Sequence, residues 1–385
     1  MSAIGHYFAW EPTVEGTERF ARNLEVERMH AAWEDGAIVG GAGAFGLQLS
    51  VPGGSVPAAG ITIVGVLPTH RRRGVMTALM REQLDDTRRR GESVAYLWAT
   101  EATIYGRFGY GIASLAGTIE LPRERTSFAT PVEPRGRGRI VDEDEAAAKF
   151  PTIYEAALRP GMFARSETWW RYRRLDDPPE RRRGAGPLNR LLLELDGVPA
   201  AYALYRVSGG MEGGISAGRL NVVEAVGATP AATRAIWRLL LDVDWVASYR
   251  AELLPIDHPL LVLIAEPRRL GFRLYDALSV RLVDVEAALS ARSYAADGEI
   301  TIELEDAFCP WNAGHWRVTR NGAEPTDSPG ELALDVRELG SVYLGGFTFA
   351  QLAEAGRVVE LEPGALRRAD DLFRTSQAPW CPEIF

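Results

Sequence analysis

Cysteine is scarce: Cys309 and Cys381 are the only two in 385 residues. Two cysteines make no disulfide framework and are too few for a cysteine zinc site, so a reducing cytoplasm is the expected setting and no metal is expected. Both are followed by proline and should pack as small apolar groups. Lysine is scarcer still, since Lys149 is the single lysine among 43 basic residues. The arginine excess reads either as a set of planar anion clamps or, more simply, as the codon usage of a GC-rich genome. Long apolar runs are missing too. The richest, Pro259-Leu-Leu-Val-Leu-Ile-Ala265, falls far short of the ~18 residues of a membrane helix. Met1-Ser-Ala-Ile-Gly-His-Tyr7 has neither a basic start nor a long apolar stretch, so no secretory signal is expected. Positive charge is outnumbered, 43 against 52, for a net charge of −9 and a pI near 5.3. That balance argues against nucleic acid as a partner and suits a cationic small molecule.

What is present is ordinary globular material, 46% apolar and 25% charged, which excludes a disordered or collagenous chain. At roughly 150 residues per domain the length predicts two or three domains. Three blocks are visible, at residues 1–130, 131–285 and 286–385. Pro131-Val-Glu-Pro-Arg-Gly-Arg-Gly-Arg139 reads as a connector and is followed by the charged patch Asp142-Glu-Asp-Glu145. The third block alternates short strand-like runs (Ile300–Leu304, Trp316–Thr319, Glu331–Asp335) with helix-like stretches at Thr348–Ala355 and Asp370–Ser376. That mix predicts a small α+β domain.

In the first block Gly60-Ile-Thr-Ile-Val-Gly-Val-Leu67 is a β-branched run, hence a strand. Pro68 and Thr69 end it, and His70-Arg-Arg-Arg-Gly74 is a polar turn. Val75, Met76, Leu79, Met80 and Leu84 then recur at helical spacing, with charged residues on the opposite face, until Gly91. Ala95–Ala99 is the next strand. A helix start lacks intrahelical partners for its first N–H groups and carries roughly half a positive charge. With Arg71, Arg72 and Arg73 beside it and Gly74 admitting close approach, this turn could trap a diphosphate. It could equally be a solvated helix start. It lacks the Gly-Lys-Ser/Thr ending of a nucleotide P-loop and the Gly-x-Gly-x-x-Gly of a dinucleotide fold. Leu220–Ala225, the loop Val226–Thr233 and the helix-like Arg234–Leu241 copy the unit in outline, and Arg269-Leu-Gly-Phe272 echoes Arg107-Phe-Gly-Tyr110. With an offset near 160, the three arginines and the glycine fall on Ala231-Ala-Thr-Arg234, so the copy would have lost the anion site.

Val64-Gly-Val-Leu-Pro-Thr-His-Arg-Arg-Arg-Gly-Val75 resembles the acyl-coenzyme A loop of the GNAT superfamily of N-acetyltransferases, whose (Gln/Arg)-x-x-Gly-x-(Gly/Ala) pattern follows a valine-rich strand. Here it reads Arg71-x-x-Gly74-x-Met76, with Met76 where a small residue is usual. Trp98-Ala-Thr-Glu-Ala-Thr-Ile-Tyr-Gly-Arg-Phe-Gly-Tyr-Gly111 is similar to the enhanced-intracellular-survival (Eis) branch of that superfamily. The resemblance covers nearly the whole chain. It implies a mixed α/β and α+β fold: an active GNAT domain (1–130), a degenerate one (131–285) and a sterol-carrier-like α+β domain (286–385). It implies acetyl-CoA as co-substrate, transfer to a primary amine (aminoglycoside, polyamine or lysine) and a homo-oligomer, commonly a hexamer.

By position, the resemblance implies that Val64, Gly65 and Val66 offer backbone groups to the pantetheine arm, while Arg71, Arg72, Arg73 and Gly74, with Val75, Met76 and Thr77, hold the diphosphate. Thr100 and Glu101 would line the acetyl end, Thr100 standing where relatives often have serine. Tyr105 would be the general acid, with Tyr110 as the rival phenol, and the Phe385 α-carboxylate would be the general base. A phenol of pKa ~10 can protonate a thiolate of pKa ~8.5. A carboxylate of pKa ~3.5 is weak against an ammonium near 10, so Phe385 reads as orienting the amine and relaying its proton. Trp380-Cys-Pro-Glu-Ile-Phe385 is apolar enough to predict docking rather than fraying. Glu101 and Glu383 would favour a cationic acceptor, and His70 would shape the turn. With no cysteine near the motifs, direct attack in a ternary complex is expected. An alternative function is sensing of coenzyme A or binding of an apolar ligand through the third domain. The chain departs from the GNAT pattern at its start: Pro12–Asn23 looks helical, the next strand-like run is Met29–Trp33, and the usual first strand is missing or remodelled.

Overall fold

The computed structural model describes residues 13–131 and 136–385. The expectations for the first twelve residues, the missing strand among them, and for the middle of the 131–139 connector lie outside the described residues. The chain forms two compact units, each discontinuous in sequence. One takes the chain up to Leu115 together with Arg159–Ala164 and Asp276–Phe385, and the other takes Ala116–Leu158 and Arg165–Tyr275.

The first unit begins with a helix, Val14–Ala21, whose Thr13 hydroxyl accepts from the Gly16 N–H. Strands β1 (Met29–Glu34) and β2 (Ala37–Val51) follow, joined by Asp35-Gly36 with both residues at positive φ. That Asp-Gly pair is the turn a right-twisted hairpin favours. β2 pairs antiparallel with β3 (Gly54–Val66), and β3 pairs parallel with β4 (Val94–Trp98). The crossover between them is the helix Val75–Arg89, with Gly91 at φ +72° just beyond its end. Its apolar face buries Leu79, Met80 and Leu84 against Ala42, Ala59, Ile61 and Leu97 of the sheet. Each such side chain contributes roughly 1.5–3 kcal/mol. Gln83, on the same face, is polar and buried, and its amide donates to the Gly43 carbonyl at 2.9 Å.

The next neighbour in the sheet comes from far along the chain. Leu278–Leu282 lies between β4 and β5 (Gly111–Ile112), antiparallel to both. Leu115–Pro122, by contrast, is a strand of the seven-stranded sheet of the second unit. The blocks that follow one another in sequence are therefore interleaved in the sheets. The end of the predicted connector, Arg137–Ile140, is itself a strand.

The rest of the first unit is a five-stranded sheet with Glu299–Glu305 at its centre, parallel to Leu332–Asp335 and antiparallel to Gly314–Thr319. Four helices accompany it among the described residues: Val285–Ser290, Val336–Tyr343, Phe349–Glu354 with a Thr348/Gln351 capping box, and Ala365–Phe373. This is the α+β domain expected, except that the last helix begins five residues before Asp370 and ends at Phe373.

In the second unit the strand Arg219–Gly227 leads to the helix Pro230–Leu240. The expected loop to Thr233 is shorter, and Ala231–Arg234 lie inside the helix. Thr229 caps it, its hydroxyl accepting from the Ala232 N–H at 3.2 Å. On that strand the Glu224 carboxylate is buried with Arg165, Arg174 and the Tyr202 hydroxyl, at 2.6–2.9 Å.

Candidate active site

The site starts at a fork between two parallel strands. The β3–β4 ladder runs Ala58↔Val94, Ala59↔Ala95 and Gly60↔Tyr96, while β3 continues to Val66. Beyond Gly60 the β3 backbone has no β4 partner, although β4 runs on to Trp98 and its other edge stays paired, Leu97 with Ser279 and Trp98 with Leu278. A bulge sharpens the fork. Thr62 faces Gly43 and Gly65 faces Gly41, so β3 spends one residue more than β2 over this stretch. The extra residue is absorbed at Ile63, which sits at φ +48°. A β-branched side chain in the left-handed region is an outlier that costs on the order of 1–3 kcal/mol and is kept at sites that need the re-aimed backbone. Here it turns Val64–Val66 away from the ladder.

The chain then passes through the 3-10 turn Pro68–His70 and reaches Gly74 at φ +83°, the residue before the helix. Glycine takes this φ without strain. It has no side chain with which to cap the helix, and a Cβ placed on it would meet nothing within 4 Å. The first helical N–H groups are left for an outside acceptor. This is the physical contrast with Thr229, whose own hydroxyl occupies the equivalent place in the second unit.

A cavity of about 360 Å³ lies at this helix start, lined by Val64, Gly65 and Val66 of β3, His70, Arg71 and Arg72 of the turn, Gly74–Thr77 of the helix, and Glu101, Ile104, Tyr105 and Arg107. Eleven of the residues singled out in the sequence thus share one cavity. Three do not line it. Arg73 is turned to Glu34 at 2.5 Å. Thr100 is exposed at the end of β4. Phe385 sits at the fork itself.

Glu34 carries no sequence signal, and the sequence assigns Arg107 no role. Glu34, on β1, also pairs with His70 Nε2 at 2.8 Å, while His70 Nδ1 lies 2.8 Å from the Thr69 hydroxyl. One carboxylate therefore fixes both ends of the basic turn. Arg107 adds a further guanidinium and touches the Met76 sulfur at 3.6 Å. Only the Tyr-Gly-Arg-Phe run hinted at it.

Tyr105 ends the short helix Ala102–Tyr105 and is half-buried on the cavity wall. Its ring meets that of Tyr110 edge-on, with centroids 5.9 Å apart. Tyr110 is buried, and its hydroxyl has no hydrogen-bond partner. Burial pushes its phenol far above the ordinary range. The two phenols are thus distinct: one faces the cavity and the other lies behind it.

The last residues dock as expected of an apolar tail, with Phe385 buried and Trp380 half-buried, but Ile384 is exposed. Trp380 N–H donates to the Pro160 carbonyl at 2.8 Å, and Arg159 holds the Ala378 carbonyl. The Phe385 ring lies 4.9 Å from that of Tyr96 and 5.8 Å from that of Phe163. A methyl group on Gly60 would come within 3.2 Å of it. The segment Arg159–Ala164 brackets this tail and also bonds β2, through Met162 to Ser50 at 2.7 Å and through Ala164 to Gln48 at 3.0 Å. Cys309 and Cys381 are buried free thiols.

Comparison with known proteins bears on all of this. Residues 3–113 match the acetyltransferase (GNAT) domain family, residues 161–282 a second acetyltransferase (GNAT) domain family, and residues 285–382 the sterol carrier protein domain family. An uncharacterized N-acetyltransferase of Streptomyces avermitilis is 44% identical over 96% of this chain and 92% of its own. The N-acetyltransferase Eis of Mycobacterium tuberculosis is 34% identical over 87% of this chain and 83% of its own. The crystal structure of Eis1 from Mycobacterium abscessus, 36% identical, superposes with a TM-score of 0.87 over 100% of this chain and 96% of that one.

Proposed function

The chain belongs to the Eis-like GNAT N-acetyltransferases, and from that premise we propose that it transfers the acetyl group of acetyl-CoA to primary amines by direct attack in a ternary complex. The observation that carries the reading is the uncapped helix start at Gly74, opening on a cavity shared by Arg71, Arg72 and Tyr105. Its donors suit a diphosphate: outward N–H groups and guanidinium forks. The unpaired β3 edge beyond Gly60 suits the amide-bearing pantetheine arm, which can add to it in the manner of a strand.

Acetyl-CoA, when bound, supplies the thioester that the amine attacks. Val75, Met76 and Thr77, with Arg71 and Arg72, hold the diphosphate, and Val64–Val66 hold the arm. Arg73 acts at one remove, through Glu34. Glu101 stands at the acetyl end with Thr100 beside it. The amine nitrogen bonds to the carbonyl carbon, the carbon–sulfur bond breaks, and Tyr105 gives its proton to the departing sulfur. The Phe385 carboxylate orients the amine and passes its surplus proton toward solvent. The docked tail, with Cys381, Glu383 and Phe385 buried and the Phe385 ring seated where β3 and β4 separate, supports that assignment.

The reading extends to acceptors such as aminoglycosides, polyamines or lysine side chains, which suit the net charge of −9, and it includes no nucleic-acid partner. It extends to a cytoplasmic enzyme, supported by two free thiols, and to a hexamer. The exposed cross-strand pair Trp33 and Ile38 would be part of a subunit interface. The three blocks 1–130, 131–285 and 286–385 then act as transferase, degenerate transferase and sterol-carrier-like domain. The test is to incubate the protein with acetyl-CoA and a panel of aminoglycosides and polyamines and follow free thiol. Amine-dependent thiol release is expected. Its absence with every amine overturns the reading. Light scattering checks the hexamer.

A further inference from the structure

Behind the Tyr105–Tyr110 pair lies a buried charge that the transfer reaction as described does not use. Arg281, on the strand Leu278–Leu282, is fully buried. Its Nη2 donates to both carboxylate oxygens of Asp306, at 2.8 and 2.6 Å. Asp306 belongs to the sterol-carrier-like domain. Its oxygens also accept from the Cys309 N–H at 2.8 Å and the Asn312 amide at 3.0 Å. On the other half of the guanidinium Nε and Nη1 are buried and no oxygen acceptor meets them, and the Cys309 thiol is the neighbour within hydrogen-bonding reach of the group. They face the turn that carries the tyrosines. A methyl group on Gly109, which is held at φ +84°, would lie 2.8 Å from Arg281 Cζ and Nη1. The Tyr110 phenol feels that charge: burial raises its proton affinity, Arg281 opposes the rise and Tyr105 adds to it. The Cys309 thiol, also raised by burial, feels the same opposing charge.

The 306–312 segment also packs on the Val75–Arg89 helix and on Phe108. Phe308 meets Phe108 edge-on at 5.1 Å, and Arg81 of the Val75–Arg89 helix lies over the Phe308 ring at 3.8 Å. Arg88 lies over Trp311 at 4.6 Å. One loop of the C-terminal domain thus braces both the helix whose start would bind the diphosphate and the turn whose phenol would give the proton.

A buried ion pair is weak evidence for stability, because well-packed apolar residues often do as well or better. An arginine kept fully buried against the Gly109 turn, beside Tyr110, needs another reason. We propose that Arg281 is a positioning residue for acetyl transfer: anchored on Asp306, its guanidinium holds the Gly109 turn and sets positive charge behind the tyrosine pair. This rests on the reading of Tyr105 as the proton donor. As Tyr105 releases its proton, negative charge builds on its oxygen, and a fixed cation in a dry surrounding favours that state. The sterol-carrier-like domain is then part of the transferase through Asp306, whatever else it binds.

The test replaces the pair by an apolar one, Arg281→Met with Asp306→Leu, and measures melting temperature, acetyl-CoA affinity and kcat on an amine accepted by the wild type. The melting temperature should fall modestly, since Asp306→Leu also takes the acceptor from the Cys309 N–H and the Asn312 amide, while at an assay temperature where the variant is folded acetyl-CoA affinity stays within about twofold and kcat falls by at least about tenfold. Arg281→Lys, which keeps the charge and loses the fork, should fall between the two. A folded double variant with wild-type kcat overturns the inference, as does a folded lysine variant no more active than the double. Tyr105→Phe run in parallel separates the two claims. If it is inactive while the double variant is not, only the role of Arg281 fails. If it turns over at the wild-type rate, the proton-donor reading fails and takes the inference with it.

Discussion

The ring of Phe385 meets the ring of Tyr96 at 4.9 Å between centroids, at the last rung before β3 and β4 separate. The end of the chain is thereby packed against the point from which the binding groove opens. Extending the chain by three residues after Phe385, which replaces the terminal carboxylate with an amide, should lower kcat by about 10²-fold or more. Acetyl-CoA affinity, read by calorimetry, should change little. Gly60→Ala should act on the same contact from the other side. Its methyl group would press on Leu47 at 2.7 Å and on the Phe385 ring at 3.2 Å, so a loss of roughly 1–3 kcal/mol in stability is expected from overpacking, together with slower turnover.

Tyr105→Phe removes a hydroxyl at the cavity wall and no packing. Turnover should fall by about 10²-fold with acetyl-CoA binding intact. Tyr110→Phe should be close to silent in kcat, since that hydroxyl is buried behind the cavity without a partner. Equal effects from the two changes would contradict the separation of their roles.

The three arginines of the turn should prove unequal. Arg71→Ala with Arg72→Ala removes two guanidinium groups from the cavity lining and should weaken acetyl-CoA binding by about 10²-fold, at roughly 1.5–3 kcal/mol per charge-assisted hydrogen bond. The effect should shrink as salt is raised. Arg73→Ala breaks a half-exposed pair with Glu34, worth about 0–1 kcal/mol, and should change affinity only a few-fold. Titration calorimetry at two salt concentrations checks the order.

Much of this site could be read from the sequence because it is local. A β-branched run, a basic turn, a glycine and a helix at 3.6-residue spacing occupy one stretch from Gly60 to Arg89, and each carries its own signal. What the sequence hid is long-range. Glu34 reaches the turn from β1, Arg107 faces Met76 across the cavity, and Arg281 enters from nearly two hundred residues downstream. None has a periodic or compositional mark, because burial and pairing assign their roles. Ile63 is the sharper case. Isoleucine argues for an ordinary strand, and only the register against β2 shows that the strand breaks its regularity there. Local identity does not fix direction either: Arg73 turns to Glu34 and Thr100 is exposed.

The buried Glu224 should govern acid stability. Burial alone would raise its carboxyl, but Arg165 and Arg174 pull it down to about 2, below the ~4.3 of an unfolded glutamate. A depressed carboxyl stabilises the folded chain above the unfolded value and loses that contribution as pH falls toward 2. The term is on the order of 3 kcal/mol. Glu224→Gln should lower the melting temperature at pH 7 and flatten its decline between about pH 5 and pH 2. Thermal melts across that window measure both effects.

The interleaved strands set a timetable for synthesis. Leu278–Leu282 fills the gap between β4 and Gly111–Ile112, so a nascent chain that has emerged only to Trp98 or Pro122 carries a sheet with a bare apolar margin. Such margins recruit strangers. Maturation of the catalytic half must wait on the ribosome until most of the polypeptide has been made, and expression of the first 130 residues alone should yield inclusion bodies in place of a small working enzyme.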